Sequence, residues 1–130
     1  MSRENVEIAR VAIQAWNAGD MARLEELYDP GAVMRNPSDW VDAGPYLGRD
    51  AVMEQFRQVR DIWRHSTFEE PRFLDAGDRV VVQVGFTGDT RGLPLTTDMA
   101  WVYTIRNRRI ISLEFFRSRE EALQTLELTE

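Results

Sequence analysis

Between Leu95 and Arg117 the chain reads LTTDMAWVYTIRNRRIISLEFFR, two strand-like runs around the turn Arg106-Asn107-Arg108-Arg109. Asn107 tolerates the positive φ that a tight hairpin turn demands. Side chains alternate across a strand, so Met99, Trp101, Tyr103 and Ile105 share one face, and Asp98, Ala100, Val102 and Thr104 the other. In the second run Ile111, Leu113 and Phe115 share a face, opposite Ile110, Ser112, Glu114 and Phe116. One face is wholly apolar and rich in rings; the other is mixed. Such a sheet needs helices against its apolar face and leaves the mixed face for solvent or a second subunit.

The rest of the chain supplies those helices. Ser2 to Ala18 reads as a helix, with Val6, Ala9, Ile13 and Trp16 on one stripe and Gly19 at the C-terminal cap position. Asp20 caps a second short helix with Leu24, Leu27 and Tyr28 inward, stopped at Asp29-Pro30-Gly31. A short strand is expected over 32–35. The stretch NPSDWVDAGPYLG, 36–48, has loop residues yet carries Trp40, Val41, Tyr46 and Leu47, as loops that fold over something do.

Arg49 to Arg64 reads as a third helix, with Val52, Phe56, Val59 and Trp63 on one stripe. Ser66 to Leu74 is strand-like but broken by Pro71, which points to an edge or a bulge. A turn at 75–78 leads into Arg79 to Thr87, where Val80, Val82, Val84 and Phe86 alternate with Val81, Gln83 and Gly85. A longer connection is expected from Gly88 to Pro94. Ser118 opens a capping box with Glu121 for a last helix carrying Ala122, Leu123 and Leu126. Early helices followed by late strands indicate one α+β domain over 1–130, a curved antiparallel sheet wrapped on the long N-terminal helix into a cone with an apolar interior.

Composition narrows the chemistry. At 130 residues, 43% of them hydrophobic, the chain can bury a proper core. A net charge of −6 argues against a nucleic-acid groove or an anionic membrane surface. With neither a signal peptide nor an apolar run of about 18 residues, the expected compartment is the cytoplasm. No cysteine is present, which excludes disulfides, thiolate metal sites and a cysteine nucleophile. All 16 basic residues are arginine, so Schiff-base and phosphate-loop lysines are excluded too. The single histidine, His65, rules out a His-rich metal site, and no Asp/Glu spacing resembles a carboxylate one. No cofactor or metal is expected.

The stretches AWNAGD at 15–20, LYDPGAVMRNP at 27–37, GPYLGRDAVMEQF at 44–56, DAGDRVVVQV at 75–84 and RRIISLEFFRSREEAL at 108–123 resemble the SnoaL-like branch of the nuclear transport factor 2-like superfamily. The resemblance runs in order through nearly the whole chain. It implies a cone-shaped α+β fold, often homodimeric through the outer sheet face. It also brings in ketosteroid isomerases, polyketide cyclases, limonene-epoxide hydrolases and non-catalytic binders, so fold alone does not choose the reaction.

Residue by residue, the known catalytic sets are missing. The isomerase's carboxylate base, before the proline of MRNP, is Asn36, which cannot take a proton at neutral pH. Its oxyanion-holding tyrosine falls near Ala12 and its protonated acid near Trp101. Asn36 matches the asparagine of the epoxide hydrolases, but their tyrosine is Met34 and their Asp–Arg–Asp set falls near Val82, Val84 and Phe115. The cyclases' Asp/His pair falls near Trp101 and Phe115. Positions that are polar in the enzymes are apolar here.

Two readings remain: rings that simply fill the cone, or a dry cavity for a small apolar or planar molecule with Asn36 as polar handle. In the second, Trp16, Phe56, Trp63, Val82, Val84, Trp101, Tyr103 and Phe115 line the cavity, and Trp40 and Tyr46 lie on a covering loop. Tyr103 and Tyr46 could donate to a ligand oxygen. An enzyme on a small apolar metabolite would use Asn36, a tyrosine and a loop carboxylate such as Asp42 or Asp39. Histidine is the side-chain type suited to acid–base work at neutral pH, but His65 sits at an expected helix end, where the dipole favours a cation. Ala100, Val102, Ile110 and Phe116, with Glu114, suggest a homodimer through the outer face.

Overall fold

The computed structural model describes residues 2–40 and 43–128. Its elements run α1 (Ser2–Ala18), α2 (Met21–Glu26), β1 (Tyr28–Arg35), β2 (Tyr46–Leu47), α3 (Arg49–Ile62), β3 (Arg64–Ala76), β4 (Arg79–Thr90), β5 (Leu93–Arg106), β6 (Arg109–Phe116) and α4 (Arg119–Leu128). The six strands form one curved sheet in the order β2-β1-β6-β5-β4-β3. Pairing is antiparallel except between β1 and β6, which run parallel. Those two strands are far apart in sequence, so no hairpin forces their direction.

α1 lies across the apolar face. Ala9, Ala12, Ile13, Ala15 and Trp16 are buried, and the small alanines let the helix sit close to the sheet. Its two ends are pinned. The Asn5 amide donates to the Gly77 carbonyl at 2.9 Å. The Asn17 amide donates to the Phe68 carbonyl at 2.9 Å and accepts from the Phe68 N–H at 2.8 Å. The Asp20 carboxylate caps α2 by accepting from the Arg23 N–H, as the sequence suggests.

The central hairpin has the turn its sequence requires. Asn107 and Arg108 take φ of 51° and 65°, and two consecutive positive values match the twist of the flanking strands. The face assignment of β6 needs a correction. Thr104 pairs with Ser112 but Ile105 pairs with Ile110, so Ile111 is an extra residue. This bulge swaps faces, and Ile110 is buried in the main core beside Leu113. Strict alternation, which put Ile110 outside and Ile111 inside, fails at that point.

Pro71 behaves as expected on both counts. β3 is an edge strand, and its register shifts between Glu69 and Arg72, where Glu70 takes a φ of 49°. The connection expected over Gly88 to Pro94 is instead a continuation of β4 and β5 to a tight turn at Arg91-Gly92. Pro94 fits there because β6 ends opposite Ala100, so β5 beyond that point has a free edge. α3 stops at Ile62, with Trp63 already extended, and β1 is longer than expected.

The outer sheet face is partly covered from within. α4 packs Ala122, Leu123 and Leu126 over Val81, Val102 and Phe116. Ser118 Oγ accepts from the Glu121 N–H at 3.2 Å as the cap requires, while the Glu121 carboxylate accepts from the Arg117 N–H, one residue before the N-cap, rather than closing the box on Ser118. Ala100 and Val102 are therefore buried in the chain itself, and with Ile110 inside they do not form an open apolar patch.

Candidate functional site

The concave side of the sheet and the helices enclose a cavity of about 570 Å³, within the usual range of about 300–1,000 Å³ for small-molecule sites. Its wall is built from rings. Trp16 on α1 packs edge-to-face on Phe56 of α3, with centroids 5.7 Å apart, and lies 5.5 Å from Phe68. Phe68 touches Trp101 at 5.0 Å, Trp101 touches Phe115 at 5.3 Å, and Trp63 meets Phe86 at 6.1 Å. Arg60 clamps this arrangement from outside: its guanidinium donates to the Trp16 carbonyl at 2.9 Å and stacks 4.8 Å over the Trp16 ring.

Of the residues singled out from the sequence, Trp16, Asn36, Trp40, Phe56, Trp63, Trp101, Tyr103 and Phe115 stand on the cavity wall. Val82 and Val84 do not. They face the same side of β4 but are sealed in the core. Tyr46 belongs to β2, pairs with Met34 and packs on the core rather than on the cavity. Trp40, 40% exposed, overhangs the mouth. Asp42 and Val41 lie outside the described residues.

His65 is exposed on the β3 edge with a φ of 53°, away from the cavity and no longer at a helix terminus. Asp39 makes an ion pair with Arg117 of β6's end, so loop and sheet are joined at the mouth. Glu114 is half-buried and Arg35 is exposed, opposite buried Met34.

Phe68, Phe86, Gln55 and Tyr28 are among the wall residues that the sequence did not assign to a cavity. Phe68 and Phe86 lie on inward positions of β3 and β4, and only the curvature of the sheet turns them into lining. Gln55 is a buried polar residue on the otherwise apolar stripe of α3. That single interruption, between Val52 and Phe56, was the available signal. Tyr28, read as the end of α2, instead opens β1 and reaches the cavity.

The polar groups of the wall are mostly donors. Burial pushes the Tyr28 phenol well above its ordinary value, and its hydrogen bond toward Tyr103 raises it further. Burial likewise pushes Tyr103 up to about 12, offset in part by Trp101 and by the Tyr28 hydroxyl, both of which favour the phenolate. The Trp101 indole N–H bears on the Tyr103 oxygen without an aligned hydrogen bond, and neither it nor the Trp16 indole N–H has a hydrogen-bond partner. Asp98 is the one carboxylate on the wall among the described residues, and it is exposed. Among those residues no group of three His, Asp or Glu could hold a metal, and no helix is long and apolar enough to cross a membrane.

Residues 9–113 match the SnoaL-like domain. The chain belongs to the SnoaL-like family. Among curated proteins no relative matches it. This SnoaL-like chain is similar to the solved structure of Bal32a from a soil-derived mobile gene cassette, at 26% identity over 95% of this chain and 96% of that one, with a TM-score of 0.82. It is also similar to an NTF2-like protein of unknown function from Burkholderia pseudomallei, at 19% identity over 93% and 95%, TM-score 0.79. A third likeness is to a protein of ketosteroid isomerase-like fold from Catenulispora acidiphila in complex with trimethylamine, at 18% identity over 91% and 90%, TM-score 0.75. These likenesses carry the nuclear transport factor 2-like fold.

Proposed function

We propose that this SnoaL-like domain binds one small, largely apolar, planar molecule in the open half of its cone. The observation that carries this reading is a roomy cavity walled by Trp16, Phe68, Phe86, Trp101 and Phe115, with edge-to-face ring contacts that suit a flat guest. Apolar walls make transfer from water favourable, by about 25 cal/mol per Å² of ligand surface. Deep in the cavity the described titratable groups are the two tyrosines, both held neutral well beyond physiological pH, so the wall favours holding a molecule over moving protons.

A second reading, an isomerase, cyclase or hydrolase acting on such a molecule, is favoured by one feature. Asp98 is the one carboxylate on the wall among the described residues and it is exposed, so it could serve as a base for a guest presenting an acidic C–H there. Thermal unfolding against steroids, terpenes, terpene epoxides and aromatic polyketides tests the first reading. A guest at 100 times its dissociation constant stabilises the fold by about 2.7 kcal/mol, several degrees for a domain of this size. A shift confined to one chemical class supports the binding site; a flat response across the panel counts against it. Turnover of that class, lost in Asp98→Asn, would favour the enzyme.

A further inference from the structure

Beside the turn that joins β5 to β6 lies a second depression, of about 770 Å³, which shares no wall residue with the aromatic cavity. Four arginines reach it from three directions: Arg23 on α2, Arg49 at the start of α3, and Arg108 and Arg109 at the turn. Glu4, Glu7 and Glu26 stand on the same wall, and each already has an arginine. Glu4 meets Arg108 at 3.5 Å, Glu26 meets Arg23 at 3.2 Å, and Glu7 meets Arg10, which is off the wall, at 3.3 Å. Among the described residues no carboxylate pairs with Arg49 or Arg109. In a chain of net charge −6, two uncompensated cations on one wall run against the overall field.

Two of these arginines are held against their own preferences. Arg49 is half-buried; its Nη1 donates to the Tyr28 carbonyl at 3.3 Å, but its Nε is buried with no hydrogen-bond partner. A guanidinium drawn out of water is ordinarily paired with an anion, and here the chain supplies none. Arg108 is the second residue of the hairpin turn, at a φ of 65°, where glycine sits without strain. Its ion pair with Glu4 is largely exposed and contributes little, so that pair does not account for an arginine there. Asn107 brings its carboxamide to the same wall, with no side-chain partner among the described residues.

We propose that this depression is a binding site for a phosphate monoester, its dianionic head between Arg49 and Arg109. Two uncompensated guanidiniums match two negative charges. A phosphate head also offers three strong acceptor oxygens to donors that converge from α3 and from the turn, whereas a carboxylate brings one charge and two oxygens. Ile8, Val11 and Leu27 make part of the wall apolar, so the organic body of an ester gains contact that a bare phosphate ion does not. The site stands apart from the aromatic cavity and does not depend on what fills it.

The test titrates the full chain with phenyl phosphate, benzoate and inorganic phosphate by calorimetry, at constant ionic strength and about pH 8, where the monoester is doubly charged. Phenyl phosphate is expected to bind at one site, about tenfold tighter than benzoate, and tighter than inorganic phosphate. Arg109 is exposed, so Arg109→Gln should leave the fold intact and weaken phenyl phosphate about tenfold. Arg72→Gln makes the same charge change on the exposed edge of β3 and should leave the affinity as it was. Arg49→Gln should act as Arg109→Gln does, and where it fails to fold the comparison of Arg109 with Arg72 decides. Three results would overturn the site: no saturable binding of phenyl phosphate, binding no tighter than that of benzoate or inorganic phosphate, or equal losses in Arg109→Gln and Arg72→Gln.

Discussion

The two ends of the cone use the same strands and reach opposite outcomes. At the closed end Val80, Ile105 and Ile110 converge from β4, β5 and β6 with at most 1% of their surface exposed. At the open end the same strands present Phe86, Trp101 and Phe115, and there the chain leaves a cavity. Branched aliphatic side chains interdigitate to crystal-like density. Flat rigid rings meet tilted or edge-to-face at about 5–6 Å and cannot bend into the gaps between them. The difference in residue type along one strand, four residues from Trp101 to Ile105, is the difference between a core and a site.

The largest effect should come from disturbing the filled end. Ile110→Ala removes a side chain with no room to relax and should cost about 2–5 kcal/mol in denaturant unfolding. Tyr103, between the two ends, should give the next largest. Its folded pKa, about 12, lies above the ordinary tyrosine value near 10, so the native state holds the proton more tightly than the unfolded chain. Stability from this group is whole below pH about 10 and falls as pH rises toward 12, by about 2–3 kcal/mol. Tyr28 acts in the same direction. Unfolding free energies measured from pH 9 to 12 should slope down, and Tyr103→Phe should flatten the slope.

At the hollow end the same kind of truncation should cost less. Phe115→Ala enlarges a space that already exists around a half-buried ring, and should cost no more than about 2 kcal/mol while weakening the bound guest. A loss as large as that of Ile110→Ala would erase the contrast. The smallest effect belongs to the mouth. Arg117→Ala breaks the ion pair with Asp39, whose partners are both about half exposed, so the stability change should stay under about 1 kcal/mol. Guest dissociation should nonetheless quicken, and more so at low salt, where the pair is least screened.

How much of this was legible follows from how local each signal is. Helix α1, the Asp20 and Ser118 caps, the turn at Asn107 and the edge position of Pro71 rest on a few neighbouring residues, and the structure has them all. The bulge at Ile111 was not legible, because an extra residue leaves alternation intact on either side of it. Gly88, Asp89 and Pro94 look like a loop until the free edge of β5 is known. Trp16 could be placed on the wall from its helical period, and Trp101 and Phe115 from strand alternation together with the resemblance. Val82 and Val84 share that inward face, and only the three-dimensional course of the sheet separates sealed positions from lining ones. The cover over Val102 depends on where α4 docks, which no strand pattern encodes.

The central claim is that the open end is hollow in the folded chain, and a plug tests it most directly. Val59 lies on the cavity wall and is half-buried on α3. Val59→Trp sends a large ring into that space. The account predicts an unfolding free energy within about 1 kcal/mol of the parent, since the ring occupies room already present, together with loss of guest binding. A drop of about 1–3 kcal/mol or more, the signature of overpacking, would contradict it and make the aromatic wall a filled core.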